Sequence, residues 1–136
     1  MTNAVPLLTV VMPVHNGAAY LGAALESIGP HPHGMIELII LDSSADDSCG
    51  AIVRAFGDCL PIRYEHCPDM LPWTQKTNAA VAIARSDYVA MLHQDDLWLP
   101  GRFAAIQNAL AFTPDARVIL SAVNIIDETG RTLGQW

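Results

Sequence analysis

Short apolar runs alternate along the chain with longer segments in which apolar residues recur at helical spacing. Four runs have the length and composition of buried strands: residues 7–14, 37–41, 62–65 and 87–92. Between the first two runs, Leu21, Leu25 and Ile28 are spaced as one face of a helix. Because strands that alternate with helices build βαβ units, the pattern predicts an α/β fold with a mostly parallel sheet flanked by helices.

Turn-forming residues mark where the helices begin and end. Asn16 is expected to cap the first helix, and Gly29 with Pro30 to end it. His31 and His33 are predicted to be exposed loop residues. The remaining predicted elements are a helical face at Ile52, Val53 and Phe56, a helix at 74–84, a helix opened by Pro100, a strand at 117–123 and a hairpin at 125–133.

Size, composition and charge narrow the class of protein. A chain of 136 residues with 51% hydrophobic and 15% charged residues is typical of one folded domain, here residues 1–136. Acidic residues outnumber basic ones by 14 to 7, so the formal net charge is -7 and a nucleic-acid-binding protein is not expected. A phosphate-bearing ligand would need a divalent cation between its oxygens and the protein carboxylates.

The cysteines and the distribution of apolar residues bear on the compartment. Three cysteines without a CxxC pair indicate reduced thiols and no disulfide framework. No stretch approaches about 18 consecutive apolar residues, the length that predicts a membrane-spanning helix. The expected location is therefore the cytoplasm, with attachment to the cytoplasmic face of a membrane as the alternative.

Clusters of mostly polar residues lie at the ends of three of the predicted strands. They are Pro13, His15 and Asn16 at the first strand, Asp42, Ser43 and Ser44 at the second, and His93, Asp95 and Asp96 at the fourth. In open α/β sheets, ligands bind outside the carboxyl ends of the strands. These residues are therefore expected at one rim of the sheet, although Asn16 and the turn at 42–47 could also serve only as helix caps.

The adjacent carboxylates of Asp95 and Asp96 are the strongest chemical signal in the chain. Two neighbouring carboxylates repel each other unless a cation or a cap occupies them. Mg²⁺ and Mn²⁺ take oxygen ligands, characteristically one or two carboxylates completed by substrate phosphates and water. The pair therefore predicts a Mn²⁺ or Mg²⁺ site, whereas His15 taken alone is more typical of a loop histidine than of a metal ligand.

Four blocks of the chain, in order and at the expected gaps, resemble the signature of the family 2 glycosyltransferases. They are residues 10–17 with 20–28, residues 37–47, residues 76–89 and residues 92–100. The first block resembles P-x-(Y/H)-N followed by L-x-x-x-L-x-S-I, and the last resembles the D-x-D-D…L-P block. The resemblance implies the GT-A variant of the Rossmann-like fold. It also implies transfer of a sugar from a nucleoside-diphosphate sugar to an acceptor hydroxyl, with inversion.

The same resemblance assigns roles to individual residues. It implies nucleotide binding by Pro13, His15, Asn16, Asp42, Ser44, Lys76, Asn78 and Asp95, and metal binding by Asp95 and Asp96. Asp42 would hydrogen-bond the base or ribose. Lys76 would supply the cation for the diphosphate, because Thr77 stands where the family has an arginine. His93 replaces the first aspartate of D-x-D, so metal binding would depend on Asp95 and Asp96.

The resemblance covers only the donor-binding part of the family, so the general base is not assigned to any residue. The expected partners are the nucleotide-sugar donor, a saccharide or lipid-linked acceptor and a second copy in a homo-oligomer. Two other classes stay open. One is a binding or regulatory module that has lost transfer activity. The other is a phosphate-receiving signalling domain, which would need a lysine that the predicted strand at 117–123 lacks.

Overall fold

The computed structural model describes residues 4–31 and 34–136. The loop position predicted for His33 lies outside these ranges, and His31 is a half-buried loop residue. The chain divides into two compact units, Met1–Arg102 and Phe103–Trp136. The single domain expected from chain length stays a prediction.

The first unit contains a four-stranded parallel sheet. Its strands are β1 (Leu8–Val14), β2 (Ile36–Asp42), β3 (Ile62–His66) and β4 (Val89–Met91). They lie in the order β3-β2-β1-β4, and each neighbouring pair is parallel. This arrangement confirms the predicted α/β fold with a parallel sheet.

The two central strands supply most of the core because both of their faces are covered. All seven residues of β1 and all seven of β2 are buried, as continuous apolar runs in parallel sheets require. β4 lies at the edge and is only three residues long, with Val89 and Met91 exposed. The strand predicted at 87–92 is therefore real but shorter than its apolar run.

Helices connect the strands, as the alternation predicted. They are α1 (Ala18–Ile28), α2 (Ser48–Ala55), α3 (Trp73–Ala82) and α4 (Arg102–Phe112). α1 buries Leu21, Leu25 and Ile28, the predicted apolar face. α3 packs Ala80 against Val11 and Ile39 of the sheet. Within residues 4–31 and 34–136, no helix combines the length and apolar character needed to cross a membrane.

Asn16 does not cap α1, so that prediction is wrong. Gly17 occupies the N-cap position, and no side chain caps the helix there. Asn16 instead adopts a left-handed backbone conformation with φ of 49°, which asparagine tolerates better than most residues. Its Oδ1 accepts a hydrogen bond from the Ala45 N–H at 3.2 Å. The side chain therefore links the loop after β1 to the loop after β2.

The second unit contains α4 apart from its first residue, followed by the predicted hairpin. The hairpin pairs β5 (Asn124–Ile126) with the antiparallel β6 (Thr132–Gln135). The strand predicted at 117–123 is wrong, because a strand needs a partner and this segment joins the hairpin ladder only at its end, where Val123 and Trp136 exchange two backbone hydrogen bonds. Val118 and Leu120 are 74% and 89% exposed.

Candidate functional site

The loops after β1, β2 and β4 leave the sheet at the same edge. Val14 pairs with Asp42 in the ladder between β1 and β2, and Val11 pairs with Met91 in the ladder between β1 and β4. The ladder extends one residue further, since the Ser43 N–H donates to the Val14 carbonyl at 3.0 Å. The side chains that follow these three strands therefore share one rim within the first unit.

Gln94 joins the loop after β4 to the loop after β1. Its Oε1 accepts the backbone N–H of His15 at 2.8 Å, and its Nε2 donates to the His15 carbonyl at 3.2 Å. A Cβ at Gly17 would lie 2.3 Å from Gln94 Oε1, so a glycine there permits this approach. Sequence reasoning did not assign Gln94 a role, and its only signal was its position beside Asp95.

The imidazole of His15 is exposed but held on two sides. Nδ1 lies 3.0 Å from the Ser43 carbonyl and 3.1 Å from Ser43 Oγ, and Nε2 lies 3.3 Å from Asn16 Nδ2. Because Asn16 Oδ1 accepts from a backbone N–H, its Nδ2 must donate to His15 Nε2. This network assigns the proton of neutral His15 to Nδ1, which donates to Ser43.

Asp42 is fully buried beneath the rim. Its Oδ1 accepts the Ser44 N–H at 2.7 Å and the Ser44 hydroxyl, and its Oδ2 accepts the Tyr64 hydroxyl at 2.8 Å. Ser44 Oγ in turn accepts the Asn16 N–H at 2.8 Å. Burial and the bond to Asp42 raise the pKa of Tyr64, which stays protonated as a donor. The nucleotide contact expected of Asp42 stays a prediction, and the contacts in the structure are with Ser44 and Tyr64.

Three further predicted nucleotide-binding residues lie at different depths. Pro13 is buried within β1, where it pairs with Leu41 of β2. Lys76 on α3 is 1% exposed, and its Nζ donates to the Val14 carbonyl and to Ser43 Oγ, each at 2.6 Å. Burial lowers the pKa of Lys76. Asn78, two residues further along α3, is exposed.

Asp95 and Asp96 are exposed in the turn that follows β4. In the described ranges, no group of three or more His, Cys, Asp or Glu side chains lies close enough together to hold a metal. Mg²⁺ and Mn²⁺ need only one or two carboxylates when phosphates and water complete the shell. An ion on this pair would therefore need phosphates and water to complete its shell, because the described residues form no all-protein metal cage.

His93, at the position of the first aspartate of D-x-D, packs against its neighbours. Its ring centroid lies 5.5 Å from that of Trp73, at an interplanar angle of 59°, and its Nε2 lies 3.3 Å from Met91 Sδ. The described residues contain no three-ligand group that combines His93 with Asp95 and Asp96.

Comparison with known families decides the class of this protein. Residues 9–135 match Glycosyl transferase family 2. The chain belongs to this family. It is 31% identical over 128 residues to an uncharacterized protein of Sinorhizobium fredii, covering 92% of this chain and 14% of that protein. It is 26% identical over 132 residues to an uncharacterized glycosyltransferase of Rickettsia typhi, covering 94% and 40%.

Solved structures confirm the GT-A fold of this glycosyltransferase domain. S. aureus TarS residues 1-349 in complex with UDP-GlcNAc superimpose with a TM-score of 0.71 at 16% identity, covering 88% of this chain and 40% of that one. The mannosyltransferase PcManGT from Pyrobaculum calidifontis, in complex with GDP-Man and Mn²⁺, gives 0.69 at 24% identity, covering 92% and 36%. The chain thus spans less than half the length of these proteins.

Proposed function

We propose that this family 2 domain binds a nucleoside-diphosphate sugar at the rim formed by the loops after β1, β2 and β4. The observation that carries the proposal is the convergence of exposed His15, Asn16, Asp95 and Asp96 at one edge of a parallel sheet. Ligands of open α/β sheets bind at this edge. Membership of the glycosyltransferase family supports a nucleotide-sugar donor as the ligand.

The nucleoside would lie against the loop after β1. His15 and Asn16 are exposed there, and their orientation is fixed by Ser43, Ser44 and Gln94. A few well-placed polar groups of this kind fix the orientation of a small ligand. The two structural neighbours hold UDP-GlcNAc and GDP-Man, so uridine and guanosine nucleotides are the donors to test first.

Asp95 and Asp96 would hold Mn²⁺ or Mg²⁺ together with the diphosphate. Such an ion neutralises the negative charge that develops on the departing nucleoside diphosphate. The net charge of -7 supports a cation between this protein and its phosphate ligand. Mn²⁺ is the ion to test first, because the structure of PcManGT contains it.

The reaction would be a single in-line displacement with inversion, in which an acceptor hydroxyl attacks the anomeric carbon. This chain would supply the leaving-group side of that reaction. The acceptor would be a saccharide or a lipid-linked saccharide, and no residue of this chain, which spans 14% and 40% of two of its relatives, is assigned as the general base. We place the activity in the cytoplasm or at the cytoplasmic face of a membrane.

Calorimetric titration with UDP and GDP, with and without Mn²⁺, tests the proposal. At least one nucleotide should bind, and more tightly with metal. Equal affinities with and without Mn²⁺ would contradict the metal site. No binding of either nucleotide in both conditions would contradict the donor site itself.

A binding module without transfer activity is the second candidate, because His93 and Thr77 replace an aspartate and an arginine of the family signature. Incubation with labelled UDP-glucose, UDP-GlcNAc and GDP-mannose, with a panel of sugar acceptors, separates the two. Binding without any hydrolysis or transfer favours the module. Turnover of about 1 per second or faster would place the general base within the chain, and Asp127 and Glu128 would be the first residues to mutate.

A further inference from the structure

Lys76 is the only lysine in the sequence, and its side chain is buried under the rim. Burying an ammonium group costs free energy unless its protons find acceptors. Here Nζ donates to the Val14 carbonyl at the end of β1 and to Ser43 Oγ just after β2, each at 2.6 Å. The cation therefore joins the carboxyl ends of the two central strands.

Ser43 connects this buried cation to the exposed ring of His15. Its Oγ, which accepts from Lys76, lies 3.1 Å from His15 Nδ1, and its carbonyl lies 3.0 Å from the same nitrogen. The Val14 carbonyl accepts from both Lys76 Nζ and the Ser43 N–H, so Ser43 is held through its backbone and its side chain. A displacement of the ammonium group would consequently remove one of the bonds that hold the Ser43 hydroxyl, which is one of the two Ser43 groups beside the ring of His15.

We propose that Lys76 is a positioning residue, which fixes the His15 ring through Ser43 for recognition of the nucleoside and does not contact the diphosphate. The inference rests on the proposed nucleotide site. It replaces the direct role suggested by the family signature, because Lys76 is only 1% exposed and its ammonium group donates to two protein acceptors at the strand ends. The two roles differ in which part of the nucleotide depends on Lys76.

Comparing uridine with UDP distinguishes the two roles. If UDP is the nucleotide that binds, Lys76→Met should weaken uridine and UDP by the same factor, about tenfold, the size that one charge-assisted hydrogen bond carries. If GDP binds instead, guanosine and GDP are compared in the same way. A loss confined to the diphosphate, with unchanged nucleoside affinity, would show that Lys76 contacts phosphate and would overturn the proposal.

Ser43→Ala is the matched variant, since it keeps the lysine and removes only the hydroxyl that relays its position. It should reproduce the equal loss for nucleoside and nucleoside diphosphate. Residues that act through one another are not additive, so the double variant should bind no more weakly than Lys76→Met. Additive losses would overturn the relay. Gln75→Ala, an exposed change on the same helix, is the control and should leave both affinities unchanged.

Nitrogen-15 NMR of the ligand-free chain provides a measurement that does not depend on nucleotide binding. In the wild-type chain the ring of neutral His15 should show its proton on Nδ1, and Lys76→Met and Ser43→Ala should both shift its ring signals. Unchanged ring signals in both variants would overturn the proposal even if nucleotides bind. Absence of nucleotide binding with shifted ring signals would instead reject the proposed function and the role in nucleoside recognition, while the positioning of the His15 ring by Lys76 would stand. If Lys76→Met does not fold, Ser43→Ala decides.

Discussion

Two buried polar networks lie at opposite ends of the sheet, and they differ in whether they are closed. Near the amino ends, Glu37 on β2 accepts the Thr9 hydroxyl and the Arg85 N–H through Oε1, each at 2.7 Å, and Arg85 Nε through Oε2 at 2.6 Å. Burial alone would raise the pKa of Glu37, but these bonds outweigh it and the pKa lies below its usual value. The Glu37 carboxylate is thus paired with the Arg85 guanidinium, and both of its oxygens are bonded within the protein.

At the carboxyl ends, the buried charges are not paired with each other. Lys76 donates to neutral oxygens and is linked through Ser43 to the exposed His15. Asp42 accepts from Ser44 and Tyr64 and is linked through Ser44 to the exposed Asn16. A closed ion pair fixes the chain between α3 and β4 to the sheet. An open network instead holds surface groups in one orientation, as a binding site requires. We therefore expect the closed network to contribute stability and the open network to serve the proposed recognition of the nucleoside.

The largest expected effect is the loss of stability on removing the Glu37 carboxylate from the closed network. Glu37→Ala removes the acceptor of three donors, so the free energy of unfolding should fall by about 2 kcal/mol, less than for a fully buried pair because the Arg85 side chain is 49% exposed. Urea denaturation measures this change. Nucleoside affinity of the folded variant should stay the same, and Glu26→Ala on exposed α1 surface is the control. A tenfold loss of nucleoside affinity would show that the two ends are coupled.

Asp42→Asn should have the opposite effect: it should lower nucleoside affinity rather than the free energy of unfolding. Asparagine keeps one acceptor but loses the charge that orients Ser44 and, through it, the Asn16 N–H. Nucleoside affinity should fall by about tenfold, equally with and without Mn²⁺, as calorimetry can measure. Asp47→Asn, at an exposed ion pair with Arg54, is the matched control. If only the metal-dependent part of binding is lost, Asp42 belongs to the metal site.

Asp95→Asn should separate the metal from the nucleoside. We expect the gain in UDP affinity on adding Mn²⁺ to shrink by several-fold, up to about tenfold, while uridine binds as before. Titrations with UDP and with uridine, each with and without metal, measure the two parts. Unchanged metal dependence in both this variant and Asp96→Asn would remove the carboxylate pair from the proposed site.

Acid should weaken the closed network by a smaller and graded amount. Because the pKa of Glu37 is lower in the folded than in the unfolded chain, its contribution to stability is fully present above the ordinary pKa of 4.5 and is lost as pH falls through the folded value. Thermal unfolding from pH 7 to pH 3 should show the difference between the wild type and Glu37→Gln shrinking toward low pH. A constant difference would contradict this linkage.

The elements with clear apolar patterns could be predicted from the sequence. Continuous apolar runs predicted the fully buried β1 and β2, and helical spacing predicted the apolar stripe of α1. The strand expected at 117–123 was wrong because an apolar run shows burial potential and not a pairing partner. Asn16 was misassigned because asparagine suits both helix caps and left-handed turns.

Only the location of the candidate site could be predicted from the sequence, and not the exposure or the contacts of its side chains. The rule for strand ends located His15, Asp42 and Asp95, but it did not reveal which of them face the rim. Lys76 could not be recognised as buried, because lysine is almost never buried unless it has partners and its partners come from elsewhere in the fold. Gln94 was missed because its two bonds go to backbone atoms, which leave no pattern of side-chain spacing.

The bonds of Gln94 to the His15 backbone have an evolutionary consequence. Since they hold residue 15 by its N–H and carbonyl, the course of the loop depends little on which side chain that residue carries. A tyrosine or another aromatic side chain at position 15 should leave the loop in place and change only the surface that the proposed site offers to a nucleoside. In that proposed site, position 15 is therefore where a single substitution would change nucleotide preference without first losing the fold.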